Sequence, residues 1–189
     1  TAYNTAVGYG AGQAVTTGTN NTFLGGLAGD ATTTASNNVA VGYQALTANT
    51  TGTSNTAVGQ GSLESNTTAH NNTAVGKDAG TAVTTGTQNT IVGALAGDAI
   101  TTADENTIMG YSAGSALTVG NNNIALGSFA LAADTKGDRN VAIGRSALSA
   151  QNFTTSTDSY NTAVGYNSGA AVTTGVNNTI MGGLAGDAL

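Results

Sequence analysis

The chain has 189 residues, with 28 Gly, no Pro, Cys or Trp, 7% charged residues and a net charge of -6. Disorder needs low hydrophobicity combined with high charge, and 39% apolar residues with so few charges exclude it. The absence of cysteine rules out disulfides and thiolate zinc sites, four basic against ten acidic residues leave no footprint for nucleic acid, and no run of about 20 apolar residues crosses a membrane as a helix.

The first element, "NTAVGYGAGQAVTTGTN" from Asn4, returns as "NTAVGKDAGTAVTTGTQ" at Asn72 and "NTAVGYNSGAAVTTGVN" at Asn161. Anchored on Asn-x-x-x-Gly, eleven units follow one another, with glycines at Gly8, Gly25, Gly42, Gly59, Gly76, Gly93, Gly110, Gly127, Gly144, Gly165 and Gly182. Nine of the ten spacings are 17 residues, and the step from Gly144 to Gly165 is 21, a period plus a four-residue insertion between 145 and 160. A period kept so strictly is a geometric constraint, the mark of a repeat architecture. Residues 1–189 therefore read as a single repeat array. Its opening and closing in mid-repeat suggest a segment of a longer, fibre-like protein.

Within each unit the residue before the glycine is aliphatic or Met: Val7, Leu24, Val41, Val58, Val75, Val92, Met109, Leu126, Ile143, Val164 and Met181. These are expected to form the core line, joined by the residue two earlier, such as Thr5 or Val141, which points the same way on a strand. Small residues follow three and six positions after the glycine, and then a second β-prone run, as in "AVTTGT" at Ala14 or "AITTAD" at Ala99. Two short β-runs and two turns in 17 residues predict one coil of an all-β, parallel β-solenoid, about eleven coils long. Stacked at ~4.8 Å, such coils make a rod ~50 Å in length. Prolines would interrupt the N–H groups that each coil must donate to the next, and there are none.

The recurrent asparagines, Asn4, Asn21, Asn38, Asn55, Asn72, Asn89, Asn106, Asn123, Asn140, Asn161 and Asn178, fit the turn entering each strand. There their side chains can bond backbone and stack as a ladder. The residue between the two core positions should face outward. It is Ala6, Phe23, Ala40, Ala57, Ala74, Ile91, Ile108, Ala125, Ala142, Ala163 and Ile180, apolar in every coil. A contiguous outward apolar stripe marks an interface, so lateral association with further copies is expected.

The motifs "NTAVG", "NVAVG", "NVAIG" and "NIALG" resemble the head repeats of YadA-like trimeric autotransporter adhesins. With the following "YQAL" and "TTG" elements they are also similar to the repetitive shafts of some phage tail-fibre proteins. The resemblance covers essentially the whole chain and implies a left-handed β-roll, three chains packed side by side, and a place outside the cell, on its surface or on a virion tail. The function expected from it is a structural or adhesive fibre or stalk that self-associates, likewise end to end, and meets a host or matrix surface. The period here is longer than the compact adhesin head repeat, and no ligand residue carries over.

Catalytic, cofactor and metal sites find no support among the motifs. His70, the single histidine, reads as a solvated turn residue, and Asp30, Asp98 and Asp187, one repeat position of coils two, six and eleven, read as solvated turn carboxylates. Asp134, Lys136, Asp138 and Arg139 form the one charge cluster, expected to be a solvated loop with local ion pairs. The insertion should project from the rod, leaving Phe153 and Tyr160 either to contact a ligand or to fold back as a plug. A second functional reading is recognition of ice by flat threonine arrays. The Thr-Gly-Thr pairs Thr17/Thr19, Thr51/Thr53 and Thr85/Thr87 suggest it, and Ala35, Ala69 and Ala103 break those rows.

Overall fold

The computed structural model describes residues 2–187 and contains no helix among them. Eleven three-residue strands form one parallel sheet: β1 (Thr5–Val7), β2 (Thr22–Leu24), β3 (Val39–Val41), β4 (Thr56–Val58), β5 (Thr73–Val75), β6 (Thr90–Val92), β7 (Thr107–Met109), β8 (Ile124–Leu126), β10 (Val141–Ile143), β12 (Thr162–Val164) and β13 (Thr179–Met181). Two further strands, β9 (Gly137–Asp138) and β11 (Thr157–Asp158), pair with each other at the insertion. Neighbouring strands stand in register one period apart, Thr5 opposite Thr22 and Val39 opposite Thr56. Across the insertion Val141 still meets Thr162, so the four extra residues are absorbed without a register shift. The chain is a parallel β-solenoid.

Outside the short β9–β11 pair, the second β-prone run forms no strand. Its residues occupy turns and bends, and coils one to eight and ten have three further positions in the left-handed region, two, four and twelve residues after the glycine. In the third coil these are Gln44, Leu46 and Ser54, with φ of 56°, 56° and 59°. Left-handed residues cannot continue a strand, and they fold the remaining residues of the coil tightly back to the next layer.

What fixes each coil is its asparagine. From Asn21 to Asn178 each backbone N–H donates to the side-chain Oδ1 of the preceding coil's asparagine at 2.8–3.2 Å, ten rungs without a break. From Asn4 to Asn123, and again at Asn161, the Nδ2 donates to a carbonyl fourteen residues on in the same coil, as from Asn72 to Gly86 and from Asn89 to Ala103, both at 2.8 Å, whereas Asn140 Nδ2 donates to Asn123 Oδ1. From Asn21 to Asn161 the ladder is buried. The one variation lies at the insertion, where the Ser159 hydroxyl donates to Asn140 Oδ1.

This ladder sets the phase of the strand. With Asn inward, alternation turns the next residue out, the middle residue in and the last one out. The stripe assigned above to an interface is therefore the core. Phe23, Ala40, Ala57, Ala74, Ile91, Ile108, Ala125, Ala142, Ala163 and Ile180 are buried inside the chain, and Ala6, exposed in the first coil, points the same way through its pairing with Phe23. The supposed core line from Val7 to Met181 faces outward.

The core is filled by exchange of volume between positions. Where the middle strand residue is large, as in Phe23, Ile91 and Ile108, the residue four after the glycine of the same coil is Gly29, Gly97 or Gly114. A Cβ on Gly29 would sit 2.4 Å from the Phe23 ring. Where that residue is instead Leu46, Leu63, Leu131 or Leu148, all fully buried, the strand residue is Ala40, Ala57, Ala125 or Ala142. The same four coils put a polar residue, Asn49, Asn66, Asp134 or Gln151, three positions after the leucine. The glycine that anchors each repeat has another constraint. At Gly93, φ is 133° and a Cβ would lie 2.6 Å from the carbonyl oxygen of Gly110, so the coils approach backbone to backbone.

Removing one rung tests the ladder. Asn89→Ala leaves the Asn106 N–H and the Ala103 carbonyl buried without partners, which is expected to cost about 2–5 kcal/mol. The exposed neighbour change Gln88→Ala should cost under ~0.5 kcal/mol. Chemical denaturation of both variants measures the difference, and equal stabilities would remove the ladder from its central place.

Candidate functional site

The largest feature presented by the fold is the outward face of the eleven-stranded sheet. It carries two rows. One is the aliphatic and Met row from Val7 to Met181; the other is Thr in eight coils and Val39, Ile124 or Val141 in the rest. Neither row holds a charged residue. Leu24 is 48%, Met109 45% and Val75 37% exposed, while the middle residue of the same strands is buried. The face measures roughly 50 Å by 10 Å, about 500 Å², shared between the aliphatic row and the row that is mostly threonine. Exposed aromatics adjoin it at the residue after the glycine, Tyr9, Tyr43, Tyr111 and Tyr166. Tyr111 meets Phe129 edge to face at 5.4 Å, and the Arg145 guanidinium lies 5.7 Å from the Tyr166 ring centre.

The insertion divides its two aromatic residues. Phe153 is buried: its backbone N–H donates to Asp134 Oδ1 at 3.1 Å, and its ring lies within 3.0 Å of where a Cβ on Gly137 would stand. It is a plug, not a ligand contact. Tyr160 is exposed, in a left-handed conformation, with the Arg139 guanidinium 5.8 Å from its ring centre. The exposed residues Thr154, Thr155 and Ser156 make the outermost part of the loop.

The charge cluster is not a solvated loop. Asp134 is fully buried and accepts from the Gln151 amide at 2.6 Å and from the N–H groups of Gly137 and Phe153, while Gln151 in turn accepts from Asn161 Nδ2. Asp138 is buried as well and takes the Asn121 N–H at 2.6 Å and the Ser156 hydroxyl at 2.7 Å. Lys136 is half-exposed, and Arg139 faces solvent, paired with Asp158.

Asp138 belongs to a column of side chains that cap the coil before them. The Thr19 N–H donates to the Ser36 hydroxyl at 3.0 Å, Thr53 to His70 Nδ1 at 2.9 Å and Thr87 to Asp104 Oδ1 at 2.6 Å. His70 is thus an exposed turn residue with a structural task, its Nδ1 accepting the Thr53 N–H. A groove of about 430 Å³ runs beside this column, lined by Asp104, Glu105, Asn122, Arg139 and Asp158 among others. Its Asp104 and Asp138 carboxylates are already engaged by backbone. Among the described residues no group of three or more His, Asp or Glu side chains is placed to hold a metal ion.

The three aspartates sharing one repeat position differ in their surroundings. Asp30 accepts the Thr47 hydroxyl, Asp187 is exposed, and Asp98 is half-buried with Oδ1 unpartnered. Burial pushes the Asp98 carboxyl above its ordinary value, the charge of Asp78 adds to this, and a backbone hydrogen bond opposes it. Lys77, fully exposed, is shifted upward by its hydrogen bond and ion pair with Asp78.

No known protein family, curated protein or solved structure matches the chain.

The raised folded-state value of Asp98 has a definite sign. The native state holds the proton more tightly than the unfolded chain, so the stability tied to this group is fully present below the ordinary carboxylate value of ~3.9 and is lost as pH rises through the raised value. Asp98→Asn removes that loss. The variant should unfold at a higher temperature than the parent at pH 7, with the difference shrinking toward pH 3. A parent more stable than the variant at pH 7 would contradict burial as the dominant cause.

Proposed function

We propose that the chain is a structural, self-associating segment of an extracellular, cell-surface or virion fibre or stalk, built as a homotrimer, that presents a surface for attachment. The observation that carries the reading is the outward sheet face, with an aliphatic or Met side chain in all eleven strands and no charge in either row. Parallel sheets are ordinarily covered on both faces. Here the coil interior covers one, and a second copy of the chain is the occupant that matches the other in length and chemistry. A stable interface takes ~800 Å² from each partner. The strand face supplies about 500 Å², so the flanking tyrosines are required as well. Three chains arranged in a ring let each copy use the strand face and its flank against different neighbours. The resemblance to trimeric adhesin heads and to phage fibre shafts supports the same reading.

Light scattering of the wild-type chain at micromolar concentration should give the mass of three chains. Val58→Glu combined with Val92→Glu places two charges on the face and should yield a monomer with unchanged circular dichroism. A wild-type chain that stays monomeric over this range would sink the reading.

A further inference from the structure

A second surface lies ten residues further along each coil. Thr17, Thr34, Thr51, Thr68, Thr85 and Thr102 stand one period apart in six successive coils, and all six are exposed. The Thr-Gly-Thr spacing suggested a different array, and that one is broken: Thr19, Thr53 and Thr87 are half-buried and tied to Ser36, His70 and Asp104, and alanines occupy the glycine position in alternate coils. The Thr-Thr dipeptides, by contrast, stack without interruption until Val119 and Lys136 take the position in coils seven and eight.

The backbone beneath this column is held in place. The Thr33 carbonyl accepts the N–H groups of Thr16 and Thr17 at 2.9 and 3.3 Å and the Thr16 hydroxyl at 3.1 Å. The same arrangement recurs at the carbonyls of Thr50, Thr67, Thr84 and Thr101. The inner threonine hydroxyl of each pair is therefore occupied. The outer ones make no hydrogen bond to protein and are left to order solvent. Six identical groups, each a methyl beside a free hydroxyl, repeat at ~4.8 Å over ~24 Å on a fixed backbone. A ligand for such a column must carry a translational repeat of its own. The column offers no charge for an anion and no aromatic platform for a sugar ring, whereas hydroxyls that both donate and accept match the molecules of an ice surface.

We propose that the column from Thr17 to Thr102 binds ice. Preorganisation is what makes the site effective, since ordering the surface during binding would cost entropy that a fixed backbone has already lost in folding. The proposal is independent of self-association, which uses the strand face.

The test measures thermal hysteresis and uptake of the labelled full chain into a growing ice hemisphere. It compares the wild type with Thr51→Lys/Thr68→Lys and with Gln13→Lys/Gln88→Lys, which adds the same charges at exposed positions outside both surfaces. Activity in the wild type, its loss in the threonine variant and its retention in the glutamine variant are expected; both double variants replace exposed side chains, and circular dichroism verifies that they fold. Four outcomes overturn the proposal: a wild type indistinguishable from a control protein, activity that survives in the threonine variant, equal loss in both variants, or binding to powdered cellulose or chitin with no effect on ice.

Discussion

One constraint organises the molecule: an asparagine amide that must bond up, down and across within a buried column. Its Oδ1 accepts the next coil's N–H and its Nδ2 closes its own coil, so both functions need the side chain inside, at the same height in every layer. Buried polar groups left unpaired are costly, and a ladder in which each rung satisfies its neighbour tolerates no slip. The 17-residue period follows. A coil one residue longer would misplace the amide, and the four-residue insertion leaves the rung from Asn161 N–H to Asn140 Oδ1 in place, with the Ser159 hydroxyl as a second donor to the same oxygen.

The same constraint decides which side chains are inside, and here the sequence was legible only in part. Period, parallel stacking, the glycine with a conformation closed to other residues and the asparagine ladder were all readable, because each depends on one residue type recurring at one spacing. The phase of the strand was not read correctly. In "NTAVG" both the middle and the last residue are apolar, and choosing the bulkier Val7 as core and the smaller Ala6 as surface follows an ordinary rule for globular proteins. A coil this narrow reverses it. Two signals could have settled the phase. A laddered asparagine has to be buried, which sets the alternation, and Phe23, Ile91 and Ile108 are each matched by a glycine four residues after the anchor while the alanines at Ala40 and Ala57 are matched by leucines. Volumes compensate only between residues that touch.

The second half of the coil was misread for a different reason. "AVTTGT" has the composition of a strand, but β-propensity describes a side chain's fit to a pleated surface and not a backbone preference. Left-handed residues on either side of this run deny it that surface. Leucine at Leu46, Leu63, Leu131 and Leu148 accepts a left-handed backbone normally left to glycine, at φ near 50°, in exchange for filling the core. Charge was misjudged as well. Asp134 and Asp138 looked like a solvated cluster, but they are buried acceptors, and three of their donors, Gln151, Phe153 and Ser156, come from the following coil, so sequence spacing gave no hint of those contacts.

The corrected phase strengthens the physical case for association and changes where it lies. An alanine stripe would offer a partner little area and little shape. Of the two outward rows, the one from Val7 to Met181 holds valine, leucine, isoleucine and methionine, larger than the alanine that most coils keep at the inward strand position. The inward strand position is alanine in seven of eleven coils, so the hydrophobic burial it gives those coils is small. The side chains able to contribute more of it lie on the face that a single chain leaves uncovered. Stacking joins small inner contacts into a rod, and the packing of rods proposed above would cover the apolar row that one rod leaves exposed.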